Sequence, residues 1–358
     1  MFNEPQAPQD IRHLAIIGSG MCGLSAALLL KSSGVKVTLF EKSRGPGGRL
    51  SAKRLPEERG GGSADIGAQY FTIRNLGFRA LLEQYAGPTH YTTWPARLRY
   101  QTDSGKWEFF NAAERYVGVP RMTAISRALS RTLDIKAQVR IEKLERTGQD
   151  QWRLWDTESK DRGCFDAVIM TAPPAQTSTI LIASGLAQLA QSFETHIPQM
   201  QACWTVVARF PNTLGLDYEG FQPTSEILQW AANNSSKPGR DGEGEWWVLH
   251  GRPDWSDRHQ DGSSEDITEA LIMAFSECTG IIERPDYTLA HRWLYAKSTA
   301  THGPGHFWFN EDRIGVIGDW VKGGRVEGAY ESAESLTKHL RSVGCLDAGT
   351  SEESKASE

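Results

Sequence analysis

Apolar positions run almost unbroken from Ile11 to Ile17, the pattern of a strand covered on both faces. Leu24 to Lys31, rich in Ala and Leu, predicts a helix that Gly34 stops, and Val35 to Phe40 predicts a second short strand. Strand, glycine turn, helix and strand within about thirty residues is a βαβ unit with a right-handed crossover. Glu41 to Gly62 is basic and glycine-rich and reads as an extended loop. Tyr91 to Phe110 alternates aromatic with polar and basic residues around Asp103-Ser104-Gly105, which predicts an antiparallel hairpin.

Arg121 to Arg131 reads as a helix, Gln138 to Arg146 and Trp152 to Thr157 as paired strands, and Phe165 to Met170 as a buried strand closed by Pro173 and Pro174. Beyond the prolines, strands are expected over Cys203 to Phe210, Glu226 to Trp230, Glu245 to His250 and Thr288 to Tyr295, with an amphipathic helix from Glu265 to Cys278. Arg313 to Ile317 is apolar again, reaches Gly318-Asp319 and leads into a helix from Glu327 to Leu340.

Composition narrows the possibilities. The 358 residues suggest two domains or one large α/β unit with an insertion. Thirty-nine basic against forty-four acidic residues give −5 with no polybasic run, which argues against nucleic acid or an anionic membrane as the main partner. No apolar stretch approaches the ~20 residues that cross a bilayer. The polar N-terminal stretch has no signal-peptide pattern, so the expected location is cytoplasmic. The five cysteines form no CxxC pair and are expected to be reduced thiols.

The chemistry concentrates in four places. Gly18-x-Gly20-x-x-Gly23 stands between a predicted strand and a predicted helix, the context a dinucleotide fingerprint requires. Its helix N-terminus offers free N–H groups and a favourable dipole to a pyrophosphate. Glu41, with Lys42 beside it, ends the second strand, where a carboxylate can accept from the adenosine ribose hydroxyls and disfavours a 2′-phosphate. Arg44-Gly45-Pro46-Gly47-Gly48-Arg49 follows where an NAD fold would start its next helix. Its GGR loop is similar to the one that closes over the FAD pyrophosphate in amine-oxidase-type flavoproteins, and Arg49 offers a planar fork to phosphate or flavin oxygens.

In Asp65-Ile66-Gly67-Ala68-Gln69-Tyr70, small residues let backbone approach a flat ring, with Gln69 and Tyr70 as flanks. Finally, Asp319 follows an apolar strand and can bind a ribityl hydroxyl. The turn Val326, Glu327, Gly328, Ala329 opens the last helix and can stabilise charge at the flavin pyrimidine. The expected fold class is therefore α/β: a Rossmann-type FAD-binding domain with an inserted substrate domain of antiparallel sheet plus helix. Residues 1–75, 118–175 and 305–345 are assigned to the first, 76–117 and 176–304 to the second, and 346–358 to a disordered tail.

GSGMCGLSAA, LFEKSRGPGGRLSAKR, DIGAQYFT, AHRWLYA and GDWVKGGRVEGAY together resemble the renalases, within the amine-oxidase-like FAD superfamily. The likeness runs from residue 14 to about 335, nearly the whole chain. It implies noncovalent FAD and oxidation of dihydronicotinamide isomers, the 2- or 6-dihydro forms of NAD(P)H, to NAD(P)+. Hydride goes to flavin N5, and dioxygen becomes hydrogen peroxide. On this reading Gly18, Gly20, Cys22, Gly23, Glu41, Lys42, Arg49, Ala68, Gln69, Tyr70, Gly318, Asp319, Val326, Glu327, Gly328 and Ala329 hold the cofactor. Val139 makes a backbone contact near the adenine, as in related folds.

Hydride loss from a reduced nicotinamide needs no general base, and none is assigned. Tyr70, Trp204, Trp230, His250, Trp293 and Tyr295 are candidates for the wall of the substrate pocket. His302 and His306 share a Gly-Pro-Gly loop that no helix can bring into metal-binding geometry, so no metal is expected. Two rivals stay open: an amine oxidase or desaturase on the same fold, and a flavin-binding interaction protein with slow incidental turnover. Substrate isomer and oligomeric state are not legible in the sequence.

Overall fold

The computed structural model describes residues 11–148, 150–300 and 303–346, so His302 and the tail beyond residue 346 lie outside the described residues. A six-stranded sheet gathers both ends of the chain, in the order Phe307–Phe309, Ile314–Val316, Ala167–Met170, His13–Ile17, Lys36–Glu41, Asp134–Ala137. Its strands are parallel except the edge strand Phe307–Phe309.

Parallel strands are stable only when both faces are covered, and the alternation of side chains along His13–Ile17 divides the work. Leu14 and Ile16 meet Leu24 and Leu28 of helix Met21–Lys31 and Leu336 and Leu340 of helix Val326–Ser342. Ala15 and Ile17 face a second layer holding Leu144, Leu154 and Leu181. That layer contains the antiparallel sheet Ile141–Arg146, Trp152–Asp156, Asp161–Phe165 and helix Pro174–Ala183.

The seven-stranded sheet runs Tyr287–Ser298, Met200–Phe210, Glu245–Gly251, Leu228–Asn233, Gly220–Gln222, Leu98–Gln101, Trp107–Phe109. Only Gly220–Gln222 beside Leu98–Gln101 is parallel. One face packs Val206, Phe210, Trp247 and Leu249 against Ile267, Leu271 and Phe275 of helix Ser264–Thr279. Ser263 caps that helix by accepting from the Asp266 N–H at 3.1 Å, and Gly280 ends it with φ +77°. The opposite face packs Val207, Trp246 and Val248 against Leu55, Ala64 and Ile66.

Two expectations need correction. The stretch Glu41 to Gly62 is not all loop, because Ala52–Arg54 pairs antiparallel with Ser63–Asp65. The strand expected over Gln138 to Arg146 is broken, since Gln138 takes φ +59° and divides Asp134–Ala137 in the central sheet from Ile141–Arg146 in the three-stranded one. Val139 therefore follows a strand rather than sitting in one, and its N–H donates to the Glu41 carbonyl at 2.9 Å. Among the described residues no helix is long and apolar enough to cross a membrane.

Candidate functional site

Glycine is required in the first loop for two separate reasons. Gly18 holds φ +107°, and a Cβ there would lie 2.3 Å from Thr171 Oγ1. A Cβ on Gly23 would lie 2.1 Å from the Gly18 carbonyl oxygen, so the helix could not approach the strand. Gly20, by contrast, faces open space and leaves helix Met21–Lys31 without a side-chain cap. An uncapped N-terminus beside open space is what an anionic group needs.

Glu41 is buried at the end of its strand. Its Oε2 accepts from Ser19 N at 3.0 Å and Ser19 Oγ at 2.8 Å, and its Oε1 accepts from Ser43 N at 2.8 Å. Of the roughly four lone-pair positions on a carboxylate, these leave about one free. Glu41 thus braces the glycine loop and keeps little capacity for an outside donor. Lys42 beside it is exposed.

The second glycine loop closes against the first. Gly47 N donates to Ser19 O at 3.0 Å, and the Gly48 Cβ position lies 3.5 Å from Gly20 Cα. Arg49 lays both terminal nitrogens on Asp319, with Nη1 3.0 Å from Oδ2 and Nη2 on Oδ1, and Nη1 also reaches Ala296 O at 3.0 Å. The two residues expected to reach separate parts of the cofactor therefore hold each other. Cys22 lies within electrostatic reach of both, and burial first, then Asp319, pushes its thiol pKa up. It stays a protonated thiol at neutral pH.

Gly318 leads into the short turn Asp319–Val321, and the helix Val326–Ser342 starts after Arg325, again with no side-chain cap. Gly328 packs tightly, its Cβ position 2.6 Å from the Lys322 carbonyl oxygen, and Ala329 is buried. Val326 packs at the edge of the same core. Glu327 turns away from this end, and its Oε1 accepts from Arg74 N at 2.5 Å and Asn75 N at 2.6 Å. Its side chain thereby fixes the entry to helix Leu76–Tyr85.

Beneath Ala68, Gln69 and Tyr70 lies a network that the sequence does not advertise. Asp65 is fully buried and accepts from Lys237 Nζ at 3.2 Å, from Arg240 Nη2, and from Met122 N at 2.9 Å. Lys237 Nζ also donates to Gln69 Oε1 at 3.0 Å, which turns the Gln69 amide nitrogen toward the Asp65 carbonyl at 2.6 Å and within 3.5 Å of His250 Nε2. Burial lowers Lys237 to about 8 despite Asp65, and burial together with Lys237 lowers His250 to about 4. His250 is therefore a neutral imidazole at pH 7.

Strand alternation sorts the aromatic candidates. Trp204 points with Val206 and Trp247 into the helix-covered core, and its indole donates to His259 O at 2.9 Å. Its neighbour Thr205 faces the other way and donates to Ile66 O at 3.2 Å. Trp204 is thus not brought to the group around Gln69. Trp293 is, donating to Ile66 O at 3.0 Å. Tyr295 packs instead with the core of Met200 and Trp320.

Trp230 packs against Tyr70 with the rings tilted at 57° and centroids 5.9 Å apart, and its indole N–H has no acceptor among the described residues. Trp94 and Phe110, absent from the candidate set, complete this wall at 6.3 Å from Tyr70 and from Trp230 respectively. The same two side chains line an open cleft of about 840 Å³. Two uncapped helix ends, an open glycine turn and an aromatic wall form a cradle suited to a dinucleotide with a flat ring.

Residues 16–85 match the NAD(P)-binding Rossmann-like domain family, and residues 93–336 match the flavin containing amine oxidoreductase family. The chain is 31% identical over 145 residues to a carotenoid phi-ring synthase of Streptomyces griseus, covering 37% of this chain and 25% of that one. It is 49% identical over 47 residues to an L-amino-acid oxidase of Daboia russelii, covering 13% and 9%. The aligned regions thus span a quarter or less of these relatives' length.

A putrescine oxidase structure superposes with a TM-score of 0.69 at 12% identity, covering 92% of this chain and 99% of that one. A fatty acid isomerase of P. acnes superposes with 0.64 at 12% identity, covering 92% and 99%. At that identity the likeness speaks for the fold. The family match spans most of the chain, from the hairpin to the last helix: the protein belongs to the flavin-containing amine oxidoreductases, a family of flavin-dependent oxidoreductases.

Proposed function

We propose that the protein binds FAD noncovalently and oxidises 2- or 6-dihydronicotinamide isomers to NAD(P)+, with dioxygen taking the electrons. The six-stranded sheet would serve as the dinucleotide module and the seven-stranded sheet as the substrate module. Gly20 and the first turn of helix Met21–Lys31 would receive the pyrophosphate, and the N-terminal turn at Val326 to Ala329 the pyrimidine end. Bound there, the cofactor supplies a hydride acceptor and passes the electrons to dioxygen, giving hydrogen peroxide.

The observation that carries this reading is the open cleft beside the wall of Tyr70, Trp230, Trp94 and Phe110. Its lining joins Trp94 and Phe110 of that wall to the cations Arg97 and Arg115, a mix suited to a flat ring that carries an anionic group. Flat aromatic rings can hold a pyridine ring parallel to a flavin. A dihydropyridine loses only hydride, so the neutral His250 and the occupied Asp65 need take no proton.

An amine or amino-acid oxidase is the second reading, favoured by Lys237, a buried amine next to Gln69. Aerobic turnover separates the two: peroxide formed from a 2- or 6-dihydro isomer supports the first, and peroxide formed only from amines or amino acids refutes it.

A further inference from the structure

Arg115 is a cation without a carboxylate. Among the described residues no acidic oxygen lies within ion-pair distance of it, and its guanidinium donates only to the Ala113 and Asn111 carbonyls of its own loop, both at 3.3 Å. These are long for N–H···O bonds and spend little of a guanidinium's five-donor capacity. The guanidinium carbon sits 5.6 Å from the centre of the Tyr70 ring and 5.9 Å from that of Phe110, so cation–π attraction holds it at the aromatic wall. Arg115 is only partly exposed and lines the cleft.

Among the described residues neither acidic side chain of the lining pairs with it. Glu114 accepts from the Tyr116 hydroxyl at 2.7 Å, and Asp217 and Arg97 are both exposed lining residues of opposite sign. A guanidinium with free donors, within cation–π reach of Tyr70 and Phe110, matches an oxyanion bidentately.

We propose that Arg115 is the oxyanion-recognition residue of the substrate cleft, taking the phosphate or carboxylate of a substrate whose flat ring lies against Trp94 and Phe110, the aromatic side chains that line it. This deepens the dihydronicotinamide reading and rests on it for the phosphate, while the oxyanion site itself rests on the cleft geometry.

The test is calorimetric titration of the oxidised holoprotein, wild type, Arg115→Gln and Arg115→Lys, with three probes. They are nicotinamide mononucleotide, nicotinamide riboside (the same molecule without its phosphate) and phenylacetate. Flavin absorbance and melting temperature check that each variant is intact. Wild type should bind the mononucleotide at least about tenfold more tightly than the riboside, the worth of one charge-assisted hydrogen-bond pair. The gap should shrink to about twofold in Arg115→Gln and lie between in Arg115→Lys, which keeps charge but loses the fork.

Arg115-dependent binding of phenylacetate without such a gap for the mononucleotide would support the oxyanion site and contradict the dihydronicotinamide reading. If no anionic probe distinguishes Arg115→Gln from wild type, the proposal is overturned, whatever dihydropyridines do to the flavin.

Discussion

Replacing Asp65 by Asn removes the carboxylate that pairs with both Lys237 and Arg240, which are almost wholly buried, with side-chain exposures of 0% and 2%. Two cations would then share a site closed to water. Removing one partner from a buried, hydrogen-bonded ion pair costs about 3–5 kcal/mol. The loss is capped because Lys237, already lowered to about 8 by burial, can shed its proton. Lys237→Met works in the opposite direction. It leaves Asp65 with Arg240 and the Met122 N–H, a balanced pair, and costs mainly the hydrogen bond to Gln69, about 1–2 kcal/mol.

At about 2 °C per kcal/mol for a chain of this size, Asp65→Asn should lower the melting temperature by about 6–10 °C and Lys237→Met by about 2–4 °C. The pH dependence is a second check. The folded-state pKa of Lys237 lies below its unfolded value of 10.5, so the unfolded chain binds more protons between about 8 and 10.5, and stability gains from rising pH there. Subtracting the Lys237→Met curve from the wild-type curve isolates that gain. If Lys237→Met melts lower than Asp65→Asn, or if the difference curve is flat above pH 8, the charge ordering argued here is wrong.

Gly23→Ala places a methyl 2.1 Å from the Gly18 carbonyl oxygen and should cost about 1–3 kcal/mol in overpacking. Purified protein should carry a reduced flavin-to-protein absorbance ratio. His250 is lowered to about 4, so the unfolded chain binds its proton first and wild-type stability should fall as pH drops from about 6.5 toward 4. Denaturation of His250→Asn should show a shallower fall. Trp204→Phe should lower the melting temperature with kcat/KM unchanged, because its indole serves the helix-covered core. Trp230→Ala, at the aromatic wall, should raise KM severalfold.

Much of the cradle was legible because its parts obey local rules. Continuous apolar runs mark strands buried on both faces, and Gly18 and Gly23 stand where no Cβ fits. What escaped was set by long-range pairing. Lys237 and Arg240 stand in the stretch between two predicted strands to which no element or role is assigned, yet Asp65, more than 170 residues earlier in the chain, pairs with them in the interior. Spacing carries no signal for that.

Which face each tryptophan serves depends on sheet packing, and a bulge between Gln201 and Cys203 shifts the register beside Trp204. Arg49 and Asp319 were each legible as binding groups, but their bidentate union was not, because nothing in either segment encodes their distance. The helices Leu76–Tyr85 and Pro174–Ala183 were not predicted. Pro174 opens the second at the first helical position, where proline is favoured, although a Pro-Pro pair after a strand signals an ending.

The most direct measurement is anaerobic stopped-flow of the flavin-loaded protein, following oxidised-flavin absorbance near roughly 450 nm. It would be mixed in turn with 2-dihydro-, 6-dihydro- and 4-dihydro-NAD, and with benzylamine. Fast bleaching by the 2- or 6-isomer and slow bleaching by the 4-isomer are expected. Bleaching by the amine alone would contradict the proposed function and move the chemistry to amine oxidation.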